Sequence, residues 1–194
     1  MVNLIDIAFI SILSLGGTER YLPSEIEDYA EQIAAICESD SHMLPVNEDC
    51  VKVASVLWKL ETNLSPYTKR DRYGCGPVQV LQPRSKSKKP GFRNTRNGDL
   101  FTAPPCETLK IFKVGINWGV TIFRWKQYKS RTLKQAFRWY NASSNKNSYA
   151  KKAIQYWKRI TKANEQRNLN ITAEFKLLTS GCGELAAGVH PDLL

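Results

Sequence analysis

The sequence predicts a mainly α-helical fold with a small β or loop element around residues 76–100. Three observations predict it. Apolar residues recur at three- and four-residue intervals through most of the chain, the period of a helix with one buried face. No alternating period-two run stands out beyond a short candidate at VQVL, residues 78–81. Turn formers crowd into one polar stretch, RSKSKKPGFRNTRNGD at 84–99. A chain of 194 residues fits one domain with extra at its ends, and buries roughly 70 % of its unfolded surface without needing a staple.

The elements follow in order. LIDIAFISILSL, near the N-terminus, is apolar but interrupted by Asp6, and no Lys or Arg precedes Arg20. It lacks the positive n-region and cleavage site of a secretory signal and the about 20 apolar residues of a membrane span. It reads as a helix packed either on the domain or on a partner protein. SEIEDYAEQIAAIC, 24–37, opens with Ser24 and Glu27 at capping-box spacing and continues as a helix. A second helix spans about 47–62, with Val51, Ala54, Val56, Leu57, Trp58 and Leu60, and Pro66 stops anything helical soon after Glu61.

The stretch 84–99, with six Lys/Arg and one acid, reads as an exposed loop. A helix from about 106 carries Leu109, Phe112, Ile116, Val120 and Phe123, with Gly115 and Gly119 on one face. That spacing permits close approach of another helix, at about 1 kcal/mol of propensity per glycine. Two more helices start near 132 and 147. The second keeps Tyr149, Ala153, Tyr156, Trp157 and Ile160 opposite Lys151, Lys152, Lys158 and Arg159. The tail from 174 reads as an extended arm. The organisation is thus an apolar N-terminal segment at 1–23, one domain at 24–165 and a C-terminal arm at 166–194.

Charge is unevenly placed. Residues 1–65 hold 3 Lys/Arg against 11 Asp/Glu, and residues 66–194 hold 25 against 7. The second portion suggests a basic face for nucleic acid, anionic lipid or an acidic wall polymer, without choosing among them. Five cysteines (37, 50, 75, 106, 182) show no C-x-x-C and no zinc spacing, so no metal site is expected; the odd count leaves at least one thiol free unless chains pair through it.

The chemistry concentrates in ETNLSPYTKRDRYGCGPVQV, 61–80. A carboxyl at the end of an apolar helix is placed for burial, which raises its pKa and lets it act as an acid near neutral pH. Glu61-Thr62, Pro66 five residues on, Gly76 fifteen on and Gln79 eighteen on form one constellation. Downstream come Ala136, Tyr140-Asn141-Ala142-Ser143 and then Tyr149, with GINWG between the two motifs. From about 24 to 160 the chain resembles soluble lytic transglycosylases and the related goose-type lysozymes, including the small members carried by bacteriophages. It departs from their pattern at Thr62 for Ser, Pro77-Val78 for Leu-Met, Arg70 for Ser, Tyr73-Gly74 for Gly-Ala, Gly115 for Asn and Ser143 for Gly.

The resemblance implies a lysozyme-like fold and cleavage of the β-1,4 bond between MurNAc and GlcNAc in peptidoglycan. Glu61 would protonate the leaving oxygen and then act as base toward the sugar's 6-hydroxyl, giving a 1,6-anhydro end without a cofactor. Thr62, Val78, Gln79, Tyr140 and Asn141 would form the substrate-binding set. Gln79 would bond the sugar or a nearby backbone group, Tyr140 would orient the carboxyl or the acetamido group, and Asn141 would fix a turn. A hydrolytic muramidase of the same fold is the alternative, but it needs a second carboxyl about 6.5–9.5 Å away; Asp71 lies between Arg70 and Arg72, and Asp99 is in the basic loop.

Two rivals remain at this level. FRWKQYKSR, FRWYN and QYWKR interleave aromatics with cations, as nucleic-acid surfaces do, although their helical spacing also suits core packing. A structural or ejection component of a virion would use residues 1–15 and 174–194 to bind other virion or secretion-machinery proteins. The expected location is the virion, or the periplasm and cell wall after delivery, for genome entry or local wall opening.

Overall fold

The computed structural model describes residues 3–39, 47–66, 74–81, 92–93, 100–101, 104–141 and 145–184. Among them the order is α1 (Leu4–Leu15), α2 (Pro23–Ser39), α3 (Asn47–Thr62), β1 (Gly74–Cys75), β2 (Val80–Leu81), β3 (Phe92–Arg93), β4 (Leu100–Phe101), α4 (Cys106–Leu109), α5 (Phe112–Lys129), α6 (Leu133–Tyr140) and α7 (Lys146–Glu184). The fold is mainly α. Its strands form two antiparallel pairs, β1 with β2 and β3 with β4, spread over 74–101 and so starting two residues before the expected stretch. The remainder of the basic loop 84–99 lies outside the described residues, as do Arg70, Asp71, Tyr73, Asp99, Ala142 and Ser143.

Of the two uses open to the N-terminal segment, packing on the domain is observed. Asn3 caps α1 by accepting from Ile5 N–H at 3.1 Å, and Ile7, Ala8, Ile12 and Leu15 are buried in the core that α1 shares with α2, α3 and α7. The start of α2 differs from the expected capping box. Pro23 takes the first helical position, where its missing N–H costs nothing, and the Glu25 carboxylate reaches back 2.8 Å to the Leu22 N–H. The reciprocal half of a box is therefore present two residues earlier than Ser24 and Glu27 suggested.

The helix expected from 106 is broken into α4 and α5 at Lys110-Ile111. A disulfide between Cys75 and Cys106 fastens α4 to the first hairpin, and a second joins Cys37 on α2 to Cys50 on α3. Neither pairing follows from cysteine spacing. The side chain of Cys182 is not among those described. Gly115 and Gly119 also serve a different neighbour from the one expected. A Cβ at Gly115 would lie 2.5 Å from Pro77 Cδ, and one at Gly119 would lie 2.3 Å from Val78 Cγ2. The groove they open on α5 receives the β1–β2 turn, not a helix. Towards the C-terminus, α7 continues as helix to Glu184, through the C-terminal arm set at 166–194 and the start of the extended tail expected from 174, and Arg167 on it pairs with Asp6 of α1 at 2.8 Å. No helix of the described residues is long and apolar enough to cross a membrane.

Gly76 is the residue on which the turn's seat depends. Its φ is +78°, and a Cβ there would lie 2.1 Å from the Leu109 carbonyl oxygen, a backbone atom with little freedom to yield. Gly76→Ala is expected to lower unfolding stability by about 1–3 kcal/mol, read as a lower urea midpoint at unchanged slope.

Candidate active site

The last turn of α3 carries the site because the core grips it. Trp58, one turn before Glu61, is fully buried and meets Tyr29 at 5.1 Å and Phe112 at 4.7 Å between ring centroids. Its indole N–H donates to Ser65 O at 3.0 Å. Past Thr62 the chain reverses through Asn63 and Leu64, both with positive φ (53° and 63°). Asparagine tolerates that region; a buried leucine there is strained and persists only if its surroundings impose it. Three contacts from the N-terminal segment do so: Lys59 Nζ donates to Gly16 O at 2.8 Å, Arg20 donates to Asn63 O, and the Tyr21 hydroxyl donates to Leu64 O.

Thr62 ties this helix end to the first hairpin. Its Oγ1 lies 2.9 Å from Pro77 O, 2.9 Å from Ser65 O and 3.2 Å from Trp58 O, three acceptors within reach of one hydroxyl proton. Val78 is fully buried against Gly119, and its carbonyl accepts from the Tyr140 hydroxyl at 2.9 Å. Thr62, Val78 and Tyr140 thus hold the turn between α3 and α5–α6. Asn141 stands where α6 ends, its N–H donating to Phe137 O at 3.4 Å, the place of a turn-fixing residue.

Gln79 has φ +50° and folds over its own turn. Its Nε2 donates to Gly76 O at 3.0 Å, and its Oε1 sits against Gly74, where a Cβ would be 2.3 Å away. The amide NH₂ therefore serves the backbone, the second of its two expected uses. Its Oε1 is buried with no hydrogen-bond partner among the described residues.

The group that reaches the carboxyl is Tyr149, not Tyr140. Tyr149 opens α7, and its hydroxyl donates to Glu61 Oε1 at 2.6 Å. Helical periodicity places this tyrosine on the apolar face of the helix from 147 without pointing to the carboxyl. The signal was its place after the Tyr140-Asn141 motif; the contact across 88 residues lay beyond any local pattern. Tyr140 is close enough that an ionised Glu61, after burial, helps push its phenol well above the ordinary range. The Tyr149 phenol is raised in the same way, by burial first and by Glu61 second, so both remain proton donors.

Burial dominates Glu61 itself. It pushes the carboxyl up to about 7, and the hydrogen bond from Tyr149 opposes the rise. Among the described residues no Lys or Arg pairs with it, although the chain carries 28 of them. Oε1 is engaged by Tyr149, so the proton of the neutral acid belongs on Oε2, which has no hydrogen-bond partner among the described residues. The arrangement can deliver a proton near neutral pH and then hold the resulting carboxylate through Tyr149. Comparison of the chain with protein-family models, curated proteins and solved structures finds no match.

A carboxyl raised on folding binds its proton more tightly in the native state, so its stability contribution is full at low pH and is lost as pH rises from about 4.5 to about 7. Glu61→Gln, which keeps the shape and the acceptor of the neutral acid, is expected to be more stable than wild type by about 3 kcal/mol at pH 8 and equal to it at pH 4, in paired urea titrations. Tyr149→Phe removes the bond that favours the carboxylate, so the Glu61 titration followed by carboxyl ¹³C NMR should move upward from about 7. A downward move would show that the bond does not stabilise the ionised form.

Proposed function

We propose that this chain is a peptidoglycan-degrading enzyme of lysozyme-like fold that cleaves the β-1,4 bond between MurNAc and GlcNAc by the transglycosylase route. The observation that carries the reading is the buried Glu61 carboxyl, protonated to about pH 7, unpaired by any described cation and bonded to Tyr149. The spacing of Glu61, Thr62, Gly76 and Gln79, with Tyr140 and Tyr149 drawn to the same helix end, supports it further.

In this reading Glu61 Oε2 gives its proton to the glycosidic oxygen as the bond from the anomeric carbon to that oxygen breaks. The carboxylate, held by the Tyr149 hydroxyl, then takes the proton of the muramyl 6-hydroxyl while that oxygen bonds the anomeric carbon. One carboxyl completes the cycle, no water is consumed, and the acid is regenerated. Tyr140 and Thr62 act as positioning residues by fixing the turn that bears Val78 and Gln79. The two disulfides fit folding in an oxidising compartment, on the cell-wall side of the cytoplasmic membrane or in a virion that delivers the enzyme there.

Digestion of purified peptidoglycan, with mass spectrometry of the products, tests the reading. Wild type should release 1,6-anhydro-muropeptides, and Glu61→Gln should reduce the rate by at least about 10²–10⁴-fold, the contribution of one general acid–base group. Reducing ends without anhydro-sugar would assign a hydrolase instead. The free acid must be protonated to act, so kcat/KM should be level below pH 7 and fall tenfold per pH unit above it.

A further inference from the structure

Between Glu107 and Glu165 the chain holds fourteen Lys and Arg and no acidic residue, a span covering α5, α6 and the first half of α7. Within it three lysines form a crowded group. Lys126 and Lys129, neighbours on one face of α5, both bring Nζ over the Trp125 ring, each 4.5 Å from its centroid. Lys126 is half-buried, and its pKa is lowered by that burial and then by Lys129 and Lys146. No carboxylate among the described residues pairs with any of the three. A partly dehydrated ammonium pressed by two like charges gains from an anion that the chain itself does not provide.

The group adjoins the candidate active site from two directions. Lys146 lies one turn before Tyr149 on α7, about 4.5 Å of helix rise, and Tyr149 bonds Glu61. Lys126 lies one turn beyond Phe123 on α5, and the Phe123 ring is 6.3 Å from that of Tyr140. The lysines stay far enough from Glu61 that burial still keeps its proton. They therefore suit a charge carried by the substrate at some remove from the bond being cut.

We propose that Lys126, Lys129 and Lys146 form an anion subsite for the free carboxylates of the stem peptide on the muramyl residue whose bond is cleaved. The proposal rests on the peptidoglycan reading of Glu61 and names the feature of that substrate the site selects: a peptide-bearing sugar over a bare one. Lysines fit this task because their long stems follow a flexible peptide and need no fixed bidentate geometry. A nucleic-acid track is less well served. The Trp125 face is occupied by two ammonium groups, so base stacking there would fall to the exposed Tyr128 alone.

The test compares wild type with the full-length triple variant Lys126→Gln, Lys129→Gln, Lys146→Gln on two substrates, intact peptidoglycan and glycan strands stripped of peptide by an amidase. A double variant at the exposed Lys129 and Lys146 covers the case in which loss of the half-buried Lys126 impairs folding. On peptide-bearing strands KM should rise about tenfold, the value of one charge-assisted contact, with kcat unchanged. On stripped strands the variants should match wild type, and Arg at the same three positions should restore most of the KM. Unchanged KM on peptide-bearing strands, or an equal rise on both substrates, overturns the subsite. Loss of single-stranded oligonucleotide binding with unchanged KM overturns it in favour of nucleic acid. Wild type inactive on both substrates overturns the enzymatic reading and this proposal with it, whereas an active wild type with an indifferent variant overturns the proposal alone.

Discussion

A carboxyl group largely buried between two helices, with a phenol as its partner and no cation paired with it among the described residues, sets the terms for the rest of this fold. Glu61 and Tyr149 come from opposite ends of the chain's useful length, and their bond exists only if α3 and α7 are held side by side. Burial of an ionisable group opposes folding, so the surroundings must hold it against that cost. They do so with the aromatic set Tyr29, Trp58 and Phe112 below the last turn of α3, and with the N-terminal segment bracing the reversal after it.

The basic character of the chain makes this isolation informative. With a net charge of +10, a lysine or arginine beside a carboxylate is the easy arrangement, and it would keep the group ionised at every ordinary pH. Here the cations are spent elsewhere. Lys59, only two residues from Glu61, is turned to the Gly16 carbonyl, and Arg20 to that of Asn63. Those bonds hold the backbone on either side of the carboxyl while leaving the carboxyl itself without a counter-charge among the described residues. The same cations that would spoil an acid instead position it.

Much of the helical frame was legible because it is written in local periodicity. The bounds of α3, the helix starts near 106, 132 and 147, and the small β element all follow from apolar spacing and turn formers. What failed did so where tertiary contact outranks local pattern. Gly115 and Gly119 promised a close neighbour but not its identity, since a hairpin turn and a helix need the same clearance. The break at Lys110-Ile111 and the pairing of four cysteines depend on where distant segments meet. At the site, Glu61 and the Thr62–Val78 region were accessible from spacing. That Tyr149 rather than Tyr140 meets the carboxyl was not, because two tyrosines nine residues apart look equivalent until α6 and α7 are folded against each other.

The Cys75–Cys106 bridge has a bearing on how such a chain can change in length. It closes the base of residues 76–105, and the turn it secures is already seated in α5 through Val78. For a closed segment, doubling the length costs only about 0.6 kcal/mol. Changes of length beyond β2 therefore cost little, while the acid at the end of α3 keeps its setting. A covalent hinge-pin of this kind separates the part of the molecule free to diversify from the part that must stay fixed.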